Sequence, residues 1–79
     1  MSNKNKYDQS FMKTFSIKHE DLSDELIYNS IPEWDSVGHM SLIAELEESF
    51  EIMMEMDDII DFSSYKKGLE LVAKYDVDF

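Results

Sequence analysis

The chain has 79 residues, of which eighteen are acidic and seven basic, so its formal net charge at pH 7 is −11. Hydrophobic residues make up 43% of it, too many for a disordered acidic tail, and the length fits one small domain. The lack of cysteine, the two glycines and the acidic balance exclude disulfides, a thiol nucleophile, a glycine-rich phosphate loop and nucleic-acid binding. No apolar run reaches the roughly 18 residues of a membrane span, and no signal-peptide pattern opens the chain, which predicts a cytoplasmic protein.

The acidic residues are concentrated in the middle of the chain. Residues 20–64 contain fourteen carboxylates and no Lys or Arg, whereas residues 1–19 carry a net charge of +3. A block of one sign destabilises the compact state by self-repulsion, so it indicates a surface that a basic partner recognises. A solvated acidic face without a specific role remains the alternative.

A first helix is predicted over residues 4–15, where Tyr7, Phe11 and Phe15 follow one another at the four-residue spacing of a helix face. Residues 16–34 lack a sustained period and are predicted to form a long loop, with Trp34 anchoring it to the core. Pro32 supports the loop, because the residue before a proline is driven out of the helical region. A connection of this length in a small domain is often functional.

A second helix is predicted over residues 36–51, because Asp35 and Ser36 are both favoured N-cap residues. One side of this helix gathers apolar residues that we expect in the core: Leu42, Ile43, Leu46 and Phe50. The other side is predicted to face outward as a docking surface for a partner with a basic patch, and it comprises Val37, Met40, Ala44, Glu47 and Glu48. The alternative is that Val37 and Met40 pack against the long loop.

A short helix over residues 57–61 and a last helix over residues 64–75 complete the pattern, and no strand alternation is present. The sequence therefore predicts an all-α chain that forms a single domain over residues 1–79. The expected architecture is a small antiparallel four-helix bundle, with three main helices, one short helix and a long loop between the first and second helices.

Residues 34–40, Trp-Asp-Ser-Val-Gly-His-Met, and the Leu-Glu-Glu-Ser-Phe run over residues 46–50 resemble the acyl carrier proteins. In that family an Asp-Ser-Leu motif opens the second helix, and its serine carries a 4′-phosphopantetheine arm. The resemblance extends from about Tyr7 to Tyr75, and includes Asp57-Asp58-Ile59 and the Phe-Ser-Ser-Tyr sequence of residues 62–65.

The resemblance implies that Ser36 is the attachment site of the phosphopantetheine and that Asp35 is its motif partner. Asp35 would help to position the serine hydroxyl and the metal ion of the transferase, or would simply cap the helix. The chain would be a non-catalytic carrier that presents an acyl intermediate, held as a thioester, to biosynthetic enzymes. Gly38 and Ser41 stand where members that serve fatty acid synthesis commonly have acidic residues, which argues against that role. Trp34 before the motif and the Gly38-His39 pair look more like those of a stand-alone carrier of a dedicated pathway.

The implied partners are a phosphopantetheinyl transferase of the holo-synthase type, an acyl- or aminoacyl-loading ligase, and downstream acyltransferase or synthase enzymes with basic patches. The chain itself is expected to be a monomer. Two alternatives stay open: an aminoacyl or peptidyl carrier protein, and an unmodified small acidic interaction protein. An enzyme is disfavoured, because no nucleophile–base pair or metal cluster can be assembled from the sequence.

Other residues have more than one interpretation. His39 is predicted to be a packed or surface histidine, with contact to the phosphate as the alternative. Met53, Met54 and Met56 are expected to fill the core, although methionines repack easily and could admit an acyl chain. The aspartates of residues 57–61 lack the spacing of a calcium loop, so no metal site is predicted.

Overall fold

The computed structural model describes residues 2–79 and confirms that the chain is all-α. It contains four helices, Asn3–Phe15 (α1), Ser36–Phe50 (α2), Met56–Asp61 (α3) and Tyr65–Ala73 (α4), and a 3₁₀ turn at His19–Asp21. No strand occurs in this part of the chain; the only extended pairing is an isolated bridge between Ile27 and Ser64. None of the helices over residues 2–79 is both long and apolar enough to cross a bilayer.

Helix α1 supplies the aromatic centre of the core. Ser2 caps its N-terminus by accepting a hydrogen bond from the Asn5 amide, and Ser16 ends it in the left-handed conformation with φ 55°. The predicted stripe of Tyr7, Phe11 and Phe15 is fully buried. The Phe11 ring contacts five other aromatic rings at centroid distances of 5.0–6.1 Å, those of Tyr7, Phe15, Trp34, Phe62 and Tyr65.

The segment between α1 and α2 is irregular but firmly attached to the rest of the chain. The Tyr28 amide donates to the Ser63 carbonyl at 2.8 Å, and the Tyr65 amide donates to the Leu26 carbonyl at 2.9 Å. These bonds pair the loop with the chain just before α4. Trp34 has no exposed surface, so it anchors the loop in the core as predicted.

The core face of α2 is largely as expected. Leu42, Ile43 and Leu46 are buried, and the helix packs against α1. The prediction that Phe50 lies in the core is wrong, because its side chain is only partly buried. It lies in the last turn, at the edge of the core, where its ring meets that of the half-exposed Phe79 at 6.1 Å.

The prediction that three methionines fill the core is wrong for two of them. Met54 is buried, but Met53 is 83% exposed and Met56 is 67% exposed. Residues 52–55 form no helix, and in an extended chain successive side chains point to opposite sides. Met54 therefore points inward while Met53 points to solvent, and Met56 is left on the outer side of α3.

Candidate functional site

Ser36 is the first residue of α2, and its side chain is free of the capping role. Asp35 is the N-cap: its Oδ1 accepts a hydrogen bond from the Gly38 amide at 2.8 Å. Because Asp35 caps the helix, a capping role does not explain why a serine stands at position 36. Ser36 is exposed and belongs to the first turn of α2, where the backbone amides of any α-helix lack intrahelical acceptors and favour an anion.

Gly38 allows the preceding loop to lie directly against the first turn of α2. A Cβ atom at this position would be 1.9 Å from the carbonyl oxygen of Glu33, which is far inside van der Waals contact. Only glycine permits this approach without moving the loop backbone. The sequence drew attention to Gly38 as a departure from the carrier pattern but did not indicate this packing role.

Tyr28 reaches from the loop to the candidate serine. Its hydroxyl lies 3.2 Å from Ser36 Oγ, within hydrogen-bond distance, and either oxygen can be the donor. The contact joins residues eight positions apart in an irregular segment. No sequence period relates them, which is why Tyr28 was not among the predicted site residues.

His39 connects the loop, α2 and α3. Trp34 Nε1, which can only donate, lies 3.0 Å from His39 Nδ1, so Nδ1 must accept and the proton of the neutral ring is assigned to Nε2. His39 Nε2 then donates to the Ile59 carbonyl at 2.8 Å. Both ring nitrogens are occupied, which supports the packed histidine rather than the phosphate contact.

An open apolar cleft of about 380 Å³ lies between α2 and α3, with Ser36 at its margin. Apolar side chains dominate its walls, and the polar side chains that reach it come from two serines, Tyr28 and His39. The lining residues are Tyr28, Ser36, His39, Met40, Met56, Ile59, Ile60, Phe62 and Ser63. A flexible apolar chain attached near Ser36 could enter this cleft.

The predicted docking surface on α2 is exposed at most of its positions. Val37 is 76% exposed and Met40 55% exposed, and Ala44 and Glu48 also face solvent. Most of the Val37 side chain is therefore open to solvent, whereas Met40 also lines the cleft that Tyr28 of the loop borders. Glu47 differs, because it is partly buried and its Oε2 accepts a hydrogen bond from the Met54 amide at 2.9 Å.

A second polar cluster lies on α1 and α4. The Asp8 carboxylate is buried, accepts a short hydrogen bond from the Tyr65 hydroxyl, and is 3.1 Å from the Lys4 ammonium. Tyr7 donates to the Tyr65 carbonyl at 2.6 Å. Burial raises the pKa of both tyrosines, and the hydrogen bond to Tyr65 raises the pKa of Lys4. Every partner is internal, so this cluster is structural.

The aspartates of α3 are engaged within the chain or scattered on its surface. Asp58 is buried and bonded to Lys74 and Tyr75, of which the Lys74 hydrogen bond is the main cause of its lowered pKa. Asp57 and Asp61 are exposed. Within residues 2–79, no group of three or more His, Asp or Glu side chains is placed to hold a metal ion.

No protein-family model, no curated protein and no solved structure matches the chain. The functional argument therefore rests on the motif around Ser36 and on the geometry of its surroundings. That geometry offers an exposed hydroxyl, a helix N-terminus suited to an anion, and an apolar cleft, all within one corner of the fold.

Proposed function

We propose that the chain is an acyl carrier protein, modified on Ser36 with 4′-phosphopantetheine. The observation that carries the proposal is the position of Ser36: an exposed hydroxyl on the first residue of α2, at the margin of an apolar cleft. The helical fold, with α1 packed on α2, supports assignment to a small antiparallel four-helix bundle.

The surroundings of Ser36 suit both the phosphate end of the arm and the acyl group at its other end. A phosphodiester on Ser36 Oγ would lie at the N-terminus of α2, where the helix dipole stabilises negative charge. The other end of the arm carries a thiol, which can hold an acyl group as a thioester. The chain has no cysteine and therefore no thiol of its own. The cleft beside Ser36 offers apolar walls for that acyl group, and two methionines at its rim, Met40 and Met56, can adjust to different chains.

In the modification step, Ser36 Oγ forms a bond with the phosphorus of phosphopantetheine supplied by coenzyme A. The pyrophosphate bond of coenzyme A breaks, adenosine 3′,5′-bisphosphate leaves, and the serine proton passes to a base of the transferase. Asp35 holds the first turn of α2 through its bond to the Gly38 amide. We propose that its remaining carboxylate oxygen helps to place the transferase metal ion near the hydroxyl.

The decisive test is the intact mass of the protein after co-expression with a holo-synthase-type transferase. The parent should gain one phosphopantetheine, and Ser36→Ala should gain none. Ser41→Ala is the matched control, because Ser41 is an exposed serine of the same helix and its loss should leave modification intact. An unmodified parent would instead favour an acidic interaction protein, and modification persisting in Ser36→Ala would refute the site.

We further propose that transferases and loading enzymes dock on the outer face of α2. Val37, Met40 and Ala44 are exposed there beside Glu48. Apolar contacts would hold a partner, while carboxylates would speed its encounter with a basic patch. Glu47 is better regarded as a structural residue, because its carboxylate binds the Met54 amide.

Steady-state rates of modification at low and high salt test this surface. Glu48→Lys should slow the reaction several-fold at low salt and less at high salt, because screening weakens the steering. Met40→Ala should slow the modification at low and at high salt alike, because it removes an apolar contact that salt does not screen. Glu70→Lys, which reverses an exposed carboxylate on α4, is the control and should have little effect. Equal rates for Glu48→Lys and Glu70→Lys at low salt would exclude α2 as the charged docking surface.

A further inference from the structure

We infer that Tyr28 is a positioning residue for Ser36: it orients the hydroxyl for modification and then binds the phosphate that replaces its proton. The inference rests on the proposed function and adds a residue that the carrier motif does not contain. Its basis is the 3.2 Å contact between the Tyr28 hydroxyl and Ser36 Oγ.

The backbone on both sides of Tyr28 is pinned. The Tyr28 amide donates to the Ser63 carbonyl at 2.8 Å, next to the bridge between Ile27 and Ser64. On the other side, Asn29 adopts the left-handed conformation with φ 68°, and its amide donates to the Trp34 carbonyl at 3.0 Å. Asn is among the few residues that adopt this conformation readily. The side chain of Tyr28 therefore starts from a well-defined point.

The Tyr28 ring is held by the aromatic groups that surround His39. It meets the His39 ring edge-on, with centroids 5.6 Å apart and an interplanar angle of 88°, and meets Trp34 at 6.4 Å and 79°. His39 is itself fixed through both ring nitrogens. The phenol is thus part of the cleft wall, and its hydroxyl lies 3.2 Å from Ser36 Oγ, whose residue belongs to the same lining.

This placement gives the Tyr28 hydroxyl two successive roles. Before modification, its hydrogen bond limits the rotamers of Ser36 and holds Oγ toward the cleft. After modification, Ser36 Oγ is an ester oxygen with no proton, so Tyr28 must be the donor. Hydrogen bonds to ionised acceptors are stronger than neutral ones, so a phosphate oxygen is the favoured acceptor. The phosphate end of the arm is then held on the cleft side of α2.

The test compares Tyr28→Phe with Ser63→Ala in the full chain. Both substitutions remove a hydroxyl from the lining of the same cleft, but only the Tyr28 hydroxyl contacts Ser36. Tyr28→Phe should lower kcat for modification about fivefold and leave KM unchanged, since a hydrogen bond of ordinary strength is lost and the α2 docking surface is intact. Ser63→Ala should match the parent.

The ³¹P resonance of the modified protein provides a second measurement that does not involve the transferase. The phosphodiester signal should move in Tyr28→Phe and stay in place in Ser63→Ala. In the modified parent, nuclear Overhauser effects should link the Tyr28 ring protons to the Ser36 β-protons, a readout that needs no variant.

The outcomes separate this inference from the function on which it rests. If the parent takes up phosphopantetheine but Tyr28→Phe shows the parent kcat and the parent ³¹P shift, the role of Tyr28 is refuted and the carrier function stands. A change in KM alone would refute it as well, because it would show that Tyr28 only contacts the transferase. A parent that is never modified refutes the proposed function first.

Discussion

The hydrogen-bonded networks around Asp8 and around His39 both join distant segments of this small chain, and they differ in what they leave open. Around Asp8, a buried carboxylate is enclosed by the Tyr65 hydroxyl and the Lys4 ammonium. Around His39, a neutral imidazole accepts from Trp34 and donates to the Ile59 carbonyl. The first network is closed by neighbouring side chains, whereas the second borders an apolar cleft.

The difference follows from the number of partners that each group requires. A buried carboxylate is costly unless several donors surround it, so the structure closes over Asp8. A neutral imidazole is satisfied by two in-plane partners, which leaves its faces and edges free to contact other groups. His39 can therefore join three segments and still form part of an accessible wall. A functional cleft can be built beside such a group at little electrostatic cost.

The largest expected effect concerns Trp34, the residue on which the His39 network depends. Trp34→Ala should lower the free energy of unfolding by about 3–5 kcal/mol, because it empties a fully buried site and removes the donor to His39. Urea unfolding followed by circular dichroism measures it. Trp34→Phe is the milder companion, which keeps an aromatic ring but leaves His39 Nδ1 unpaired. A loss below about 1 kcal/mol in Trp34→Ala would show that the loop is not part of the core.

The next prediction compares one tyrosine from each network. Tyr65→Phe should cost about 2–3 kcal/mol, because the buried Asp8 carboxylate loses its hydroxyl donor. Tyr28→Phe should cost less than about 0.5 kcal/mol, since Tyr28 and its contact with Ser36 are exposed and water can replace the lost hydroxyl. Thermal melts of both variants make the comparison. Equal losses would remove the distinction between a closed network and an open one.

A smaller effect separates the two residues of the motif. Asp35→Ala should cost about 1 kcal/mol, because Asp35 caps α2 through the Gly38 amide. Ser36→Ala should cost less than about 0.5 kcal/mol, since Ser36 is exposed and does not cap the helix. Denaturant midpoints of the unmodified proteins decide this point. A larger loss of stability in Ser36→Ala than in Asp35→Ala would show that the serine has a structural role.

The smallest expected effect is a pH dependence of stability that arises from Asp58 on α3. The hydrogen bonds from Lys74 and then Tyr75 hold the pKa of Asp58 below its ordinary value of 3.8. Because the pKa of Asp58 is lower in the folded than in the unfolded chain, its ionised carboxylate stabilises the fold. This stabilisation is complete well above pH 3.8 and is lost as the pH falls through the folded-state pKa. Asp58→Asn should flatten the acid limb of a Tm profile, whereas Asp57→Asn, at an exposed neighbour, should follow the parent.

The helices were largely predictable because they depend on local spacing. The aromatic period of α1 predicted a start at residue 4 and an end at residue 15, and the helix spans Asn3–Phe15. The capping preference of Asp35 and Ser36 indicated where α2 begins, and the helix starts at Ser36. Ser36 and Asp35 were singled out as the motif, and the structure puts the exposed serine beside the cap.

Several features were decided only when distant segments packed together. Tyr28 reaches Ser36 because the loop pairs with the chain before α4, and Gly38 is needed because the Glu33 carbonyl lies against it. Glu47 looked like a free surface charge, but the turn after α2 brings the Met54 amide to it. Spacing along one helix shows which side a residue occupies, but not which other segment will cover that side.

By itself, the sequence determined the helical class, the position of the serine motif and the acidic character of the middle segment, since these depend on local preference and composition. The tertiary structure alone decided that an apolar cleft opens beside Ser36, that His39 is fixed through both nitrogens, and that Tyr28 faces the serine. Each of these needs contacts between residues of the loop, α2 and α3, and such contacts depend on how the whole core packs.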